Sequence, residues 1–547
     1  MSDSMSIRRD EDPAFWAPGT IALEQVNSVT SGELMLHPEP SSDPDDPLNW
    51  SKMRKLINFS MVGSFVLWTF VQLQVGPTAW GPMMAQLGLS IDQLNHGSAM
   101  VSTGLALGCI VFVPFVHKFG RRPLYLISSA MQLAAVIWQA ETYTYGDLMG
   151  ACTISGLGGA VSEAIVQVTI ADVFFVHQHG TMNAWYLIFT AVGATLGPVA
   201  SGFIVQSQGW RWVWWYCTIF LSVNLFLVAF FFEESKYVPV IQGHSVHHTA
   251  ETATPKNGRA DDAELDKKDR REQHVSELQR LESRIDPTLP RKTYRQRMAL
   301  YTKSEGTITH HFYQPIIILC TFPAATFAAL TYGMLLACLA LMSSMSATYM
   351  LQPPYNFGPA GVGLINIAPF TGSAIGFFVG GPLNDMSIKY LAKRNRGIYE
   401  PEMRLWVGLA AAILLPAGLI IFGVGLHKGL HYMVICVGFS LFGFCFVFAS
   451  GIALSYATDC YQEILGDVMI GVTFMRNAFS VVILFALTPW IKRNGIQNVC
   501  LITAAICFVV LLFPIPLLIW GKRIRISTAQ KYRHMALLQP SHRTVEN

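Results

Sequence analysis

Twelve stretches of mostly apolar residues, each near the length of a bilayer crossing, constrain this chain more than any other feature. The hydrocarbon core of a membrane is about 30 Å thick, and about 20 apolar residues in a helix span it. Lipid offers the backbone no hydrogen-bond partner, so an apolar crossing segment pairs its own N–H and C=O groups as a helix. With soft edges the stretches cover 57–79, 97–116, 123–140, 148–174, 182–205, 212–232, 321–348, 362–384, 405–425, 431–457, 468–490 and 497–520. Only 13% of the residues are charged, against about 25% in soluble domains. The expectation is an all-α polytopic membrane protein.

The crossings fall into two sets of six, divided by a polar segment that carries the charge run Asp261–Glu272. The implied division is a tail at 1–56, a six-helix half at 57–232, a loop at 233–320, a second six-helix half at 321–520 and a tail at 521–547. Within the loop, Val275–Ile285 and Lys292–Tyr301 are amphipathic. The second is basic, with apolar Met298, Leu300 and Tyr301, and fits either a membrane surface or a solvated helix.

Basic residues set orientation, because the cytosolic side collects them. Lys52, Arg54 and Lys55 precede the first crossing, Lys118, Arg121 and Arg122 follow the second, Lys389, Lys393, Arg394, Arg396 and Arg404 follow the eighth, and Lys522, Arg523 and Arg525 follow the last. The other side has Arg211, Lys428, Lys492 and Arg493. Both tails and the long loop are therefore expected in the cytosol, where the sequon Asn49-Trp50-Ser51 would stay unused. Residues 1–50 are polar and lack the apolar core of a signal peptide. The ten cysteines are scattered, nearly all in apolar stretches, and read as small core residues.

In the fifth crossing, Gly193, Gly197 and Ser201 recur every fourth residue and share one helix face, followed by Gly202. A face this bare lets another helix approach closely, and Pro198 bends the helix by removing a backbone donor. The halves also echo each other. Basic loops follow the second crossing (Lys118-Phe-Gly120-Arg121-Arg122) and the eighth (after Gly381-Pro-Leu383-Asn-Asp385), the layout of a duplicated transporter.

These features resemble the major facilitator superfamily. The run Gly193-Ala-Thr-Leu-Gly197-Pro198-Val-Ala-Ser201-Gly202 is similar to the motif of its twelve-span drug:proton antiporters. The fungal branch of that group is suggested by Asp43-Pro-Asp-Asp-Pro-Leu-Asn-Trp-Ser51, Gly209-Trp-Arg-Trp-Val-Trp-Trp215, Glu233-Glu-Ser-Lys-Tyr237, Arg476-Asn477 and Thr488-Pro-Trp490. The resemblance spans roughly residues 43–525. It implies a twelve-helix major facilitator fold of two six-helix pseudo-repeats that rock about a midplane cavity. Crossings 2, 5, 8 and 11 would form the moving contact and place the span 5 motif there. One departure stands out. The family loop after the second crossing usually reads Gly-x-x-x-Asp-Arg-x-Gly-Arg-Arg, whereas this chain has Val113, His117 and Lys118 before Gly120, Arg121 and Arg122. Asp385 keeps the acid in the second half. The usual cytosolic latch is thereby in doubt, and His117 is either a pH-responsive substitute or a solvated loop residue.

A charge deep in a bilayer is costly and marks a functional candidate. Glu163 is the foremost, sharing a stripe with Gly156, Gly159, Ala160 and Gln167 that should face the cavity. Burial raises a carboxyl's pKa, which suits a proton-coupling group, with a structural hydrogen-bonded carboxyl as the alternative. Arg476 and Asn477 lie in the eleventh crossing beside Thr473 and Ser480. Arg476 either holds an acidic partner or anionic substrate, or snorkels to the surface. Asp172 is expected to pair with Arg121 or Arg122 as a gate. Asp459, Glu463 and Asp467 read as a solvated acidic loop. Gln72 and Gln74, with Trp68, Trp80 and Asn224, are candidate cavity-lining residues.

No phosphate-binding Gly-x-x-x-x-Gly-Lys-Ser/Thr occurs, and no metal-ligand spacing or nucleic-acid footprint. An enzyme, a cofactor and a metal are not expected. The expected partners are a small-molecule substrate, protons and the lipid bilayer, with the chain monomeric and multi-pass in the plasma membrane, or alternatively the vacuolar membrane. The expected function is an efflux antiporter. A symporter importing a nutrient such as a cationic amine is the rival, and a non-transporting sensor the remote one.

Overall fold

The computed structural model describes residues 21–22, 44–236, 293–298, 310–395, 398–461 and 464–537. The amphipathic stretch Val275–Ile285 and Glu463 lie outside them; of Lys292–Tyr301 a short helix, Tyr294–Arg297, is described. The fold is helical throughout its membrane body: α1 is Lys52–Gln74, α2 Ile91–Phe119, α3 Arg122–Ala140, α4 Tyr145–Val173, α5 Val176–Ala191 continued by Gly197–Gln208, α6 Trp210–Phe231, α7 Pro323–Tyr349, α8 Ile367–Arg394, α9 Leu405–His427 and α10 Tyr432–Cys460. One long helix, Leu465–Leu511, breaks at Gly495, whose φ of 77° is non-helical, giving α11 (465–494) and the start of α12 (496–511), which runs on as Pro514–Leu537.

Local chemistry sets many of these ends. Ser90 and Gln93 form a reciprocal capping box at the start of α2, and Thr144 and Asp147 do so at α4; each satisfies amides that a first turn leaves without partners. Gly120, at φ 102°, turns the chain between α2 and α3 in a conformation that side chains disfavour. In α5 a widened turn, Val192–Leu196, precedes Pro198. The bend expected there takes this form, a π-type turn next to the residue that lacks a donor.

Ten helices among the described residues are long and apolar enough to cross a membrane, so the count of twelve is not confirmed by that measure. Two features account for the difference. Helices α11 and α12 follow each other directly across the Gly495 break and so count as one stretch, Leu465–Met535. Helix α3 carries Ser128, Ser129, Gln132 and Gln139, all buried against neighbouring helices, and these lower its hydropathy.

The bundle has a basal end, where the basic loops lie, and a distal end. Helices α1–α6 and α7–α12 form the N- and C-terminal halves. They meet where α2 packs on α11 and where α5 packs on the short helix Pro359–Ile365 that leads into α8. Between the halves, Ser102 and Ser480 hydroxyls lie 3.2 Å apart, Asn95 Nδ2 donates to Thr488 Oγ1 at 3.0 Å, and Lys492 Nζ pairs with Asp92 Oδ2 at 2.8 Å. A cavity of about 330 Å³ opens beside these last contacts, lined in part by Ser344, Thr348 and Gln352.

The span 5 motif divides its contacts, which corrects the single-interface expectation. Gly193 and Gly197 lie on α1 of their own half, where a Cβ on Gly193 would come within 2.6 Å of the Leu67 carbonyl oxygen. Ser201 joins them through a 2.8 Å hydroxyl contact with Thr78. Gly202, about 100° further round the helix, faces the other half, where a Cβ would meet Pro359 O at 2.6 Å. The stripe alongside Glu163 is likewise used for packing. A Cβ on Gly104 would sit 2.5 Å from Thr153 O, and one on Gly108 would sit 2.5 Å from the Ala160 side chain, so α4 turns its small residues to α2 and not to an open cavity. The second half repeats the device, with Gly376 of α8 against the Phe444 carbonyl of α10.

Gly202→Val should therefore overpack the distal contact between the halves. The expected loss is about 1–3 kcal/mol, read as a lower melting temperature of the purified protein. Ala200→Val, at an exposed position of the same helix, should change it by less than about 0.5 kcal/mol.

Candidate functional site

Glu163 lies about 15 Å up α4 from Val173, at 1.5 Å per residue, and Arg476 lies at a comparable depth in α11. The structure brings them together. Arg476 forms an ion pair with Glu163 Oε1, and Asn477 Nδ2 donates to Glu163 Oε2 at 2.8 Å. All three residues are buried, at 6%, 6% and 0% exposure for Glu163, Arg476 and Asn477. The acid belongs to the N-terminal half and its two partners to the C-terminal half. Arg476 thus turns inward to an acidic partner and does not snorkel. Its guanidinium also donates to Tyr332 Oη at 3.0 Å and lies 4.9 Å from that ring's centroid. Arg476 Nε and Asn477 Oδ1 are buried without a hydrogen-bond partner among the described residues.

The other candidates lie elsewhere. Gln167 is one turn from Glu163 and half-buried. Gln72 is held inside the N-terminal half, donating to Ser155 Oγ at 3.0 Å, while Thr69 donates to Gln132 Oε1 at 3.0 Å beside it. Asn224 is buried in α6, which packs on α1 and α3, and its amide has no hydrogen-bond partner among the described residues. Trp68 stacks on Phe220 with centroids 4.0 Å apart.

At the basal end, Arg121 pairs with Asp172 through Nε at 2.7 Å and NH2 at 3.1 Å. Both belong to the N-terminal half, so this contact braces one half internally. The side chains of His117 and Asp385 lie outside the described residues. From beyond α6, Glu234 brings a carboxylate to the loop after α2, a role not read from the sequence. Glu234 accepts from the backbone amides of Arg121 at 2.9 Å, Arg122 at 3.1 Å and Lys236 at 2.9 Å. A Cβ on Gly120 would fall 2.5 Å from its carboxylate. Asp172 lies just beyond the apolar segment Tyr145–Ile170. Burial pushes its carboxyl up to about 6, with Arg121 pulling the other way.

The C-terminal half has its own braces, also missed in the sequence. Arg404 pairs with Asp459 at 2.5 Å, and Arg525 with Glu402 at 2.7 Å, the second pair fully enclosed. Asp459 and Asp467 are accordingly not a solvated loop: the first is ion-paired and the second is buried at 1% exposure.

The family model of the Major Facilitator Superfamily matches residues 58–485. An uncharacterized MFS-type transporter of Schizosaccharomyces pombe, C1271.10c, is 29% identical, with 94% of each chain covered. Protein HOL1 of Saccharomyces cerevisiae is 27% identical at the same coverage. The efflux pump radE of Floropilus chiversii is 26% identical over 88% of this chain and 83% of its own. Among solved structures, the xylose transporter XylE of E. coli, in a partially occluded inward open conformation, shares the fold with a TM-score of 0.56 at 12% identity, covering 84% of this chain and 97% of its own.

Removing Glu234 should loosen the turn after α2. Glu234→Ala leaves three amides without their acceptor and is expected to lose about 1–3 kcal/mol of stability, seen in thermal unfolding. The Arg121–Asp172 pair should titrate. A carboxyl whose pKa rises on folding holds its proton more tightly in the folded state, so protonation favours the fold at low pH and that contribution is gone above pH 6. Asn mimics the neutral carboxyl and cannot ionise, so the melting temperature of Asp172→Asn relative to wild type should rise between pH 5, where wild-type Asp172 is itself neutral, and pH 7.5, where it is ionised.

Proposed function

The chain belongs to the major facilitator superfamily, and from that premise we propose that it is a proton-coupled secondary transporter that exports a small organic molecule by exchange with protons. Members of the family bind small-molecule substrates and sit in the bilayer. The observation that carries the proposal is the buried contact between Glu163 of one half and Arg476 and Asn477 of the other. Arginine keeps its proton under physiological conditions, so Glu163 is the member of the pair that can change charge. Protonation of Glu163 removes the attraction that holds the halves together at mid-depth, which couples a proton to the rocking of the bundle. The unpartnered Asn477 Oδ1 and Arg476 Nε offer a substrate one acceptor and one donor at the same place. Gln167, one turn away, is a further candidate contact.

Export is favoured by the Gly193–Gly202 run, which resembles the antiporter motif, and agrees with the printed name of the relative radE. The basic residues favour both tails in the cytosol, and the plasma membrane is the proposed location, with the chain acting as a monomer. In this orientation the distal contacts close the outer face.

The test is flux driven by an imposed pH gradient in vesicles, with candidate compounds chosen by the sensitivity of a deletion strain to a toxin panel. Raised sensitivity supports export, whereas raised resistance with loss of growth on a nutrient identifies import. Glu163→Gln should reduce gradient-driven accumulation by about tenfold or more without reducing the amount of folded protein. Undiminished accumulation by this variant would rule out Glu163 as the coupling group.

A further inference from the structure

The buried guanidinium of Arg476 has two holders on opposite sides of the interface between the halves. One is the Glu163 carboxylate, from α4. The other is Tyr332, from α7, which accepts a hydrogen bond from NH1 at 3.0 Å and presents its ring face at 4.9 Å. Tyr332 is in turn set by Phe446 of α10, with ring centroids 6.0 Å apart. Tyr332, Phe446 and Arg476 all belong to the C-terminal half, so a guanidinium resting on Tyr332 travels with its own half.

We propose that Tyr332 is the positioning residue that holds Arg476 whenever Glu163 is neutral or engaged elsewhere, so that the midplane contact can break without leaving a bare buried cation. The need for a second holder follows from the chemistry of the pair. A buried ion pair that loses one partner leaves an uncompensated charge, which is strongly unfavourable. Carboxylates can escape that penalty by taking a proton, but arginine has no such route. The face of an aromatic ring is a region of negative potential that attracts a cation, most effectively where water is excluded. Tyr332 supplies that face and a hydroxyl acceptor together. The other buried groups that bear on the guanidinium, Cys109 of α2 and Tyr186 of α5, come from the N-terminal half and would move away with Glu163.

This inference deepens the reading of the central site, yet its test needs neither a proton gradient nor a substrate. Melting temperatures of the purified full-length protein are compared across a mutant cycle. Tyr332→Leu in the wild-type background should have a modest effect, because Glu163 still holds the cation. The same change in a Glu163→Gln background, where the acid is permanently neutral, should lower the melting temperature by at least about twice as much, since coupled residues depart from additivity. Glu163→Gln with Tyr332→Phe, which keeps the ring, should melt close to Glu163→Gln alone. Adding Arg476→Gln to the Glu163→Gln, Tyr332→Leu protein removes the cation and should recover the melting temperature, or the folded yield if the double variant does not accumulate. Additive losses would overturn the proposal. So would a Phe substitution as harmful as Leu in the Glu163→Gln background, or a lack of rescue by Arg476→Gln. Coupling by Glu163 is judged separately, by the flux of Glu163→Gln, so either idea can fail while the other stands.

Discussion

A charge in the interior of a membrane protein must have a partner, and the Glu163–Arg476 pair is where this chain meets that requirement across its two halves. Either residue alone would be a liability. Together, with Asn477 bonded to the same carboxylate, they form a buried ionic contact that joins the two halves. The rest of the architecture positions this pair. Helix α4 is pressed against α2 by glycines, α2 against α11 by paired hydroxyls, and α11 carries Arg476 and Asn477 one residue apart so that both reach the same acid.

Lipid does not drive helices together as water does, so their association relies on close packing and hydrogen bonds. This explains why the tightest contacts fall on glycine and why the two halves use the same device, Gly104 and Gly108 against α4 in one and Gly376 against α10 in the other. Pairs such as α2–α4 and α8–α10 pack this closely within a half, and other contacts form the surfaces between the halves. Those surfaces contain Ser102–Ser480, Asn95–Thr488 and the Gly202–Gly363 approach. The basal ion pairs, Arg121–Asp172 and Arg525–Glu402, stay within a half and stiffen it.

The apolar stretches and the two charged residues within them were legible in the sequence because each is a local violation or fulfilment of a solvent rule. Glu163 and Arg476 could be singled out, but their pairing could not: Asn477 and Glu163 are 314 positions apart, and no local pattern encodes that contact. Tyr332 was invisible because an aromatic residue in an apolar run has no distinguishing neighbour. The Gly193–Ser201 face was legible as bare, but which helix it meets depends on the azimuth of α5 in the bundle, and that face turned to α1. The departure at His117 is visible in the sequence, whereas the carboxylate that Glu234 brings to the same loop is not, because it lies 117 positions away. The Gly495 break was legible, because it falls in the polar run Lys492-Arg493-Asn494 between the crossings expected at 468–490 and 497–520.

The interface between the halves is held by contacts of unequal strength, and the inequality has a direction. The distal pair Asp92–Lys492 is open to solvent, with the lysine side chain 69% exposed, and exposed pairs contribute about 0–1 kcal/mol. Hydroxyl contacts such as Ser102–Ser480 add about 1 kcal/mol each. Closure of the distal end therefore rests on many small terms and on the close approach at Gly202. The midplane pair is different, because one event changes its whole electrostatic contribution. On the proposed proton-coupled reading, weak contacts at the rim and one protonatable contact at the centre would concentrate control of the halves at Glu163.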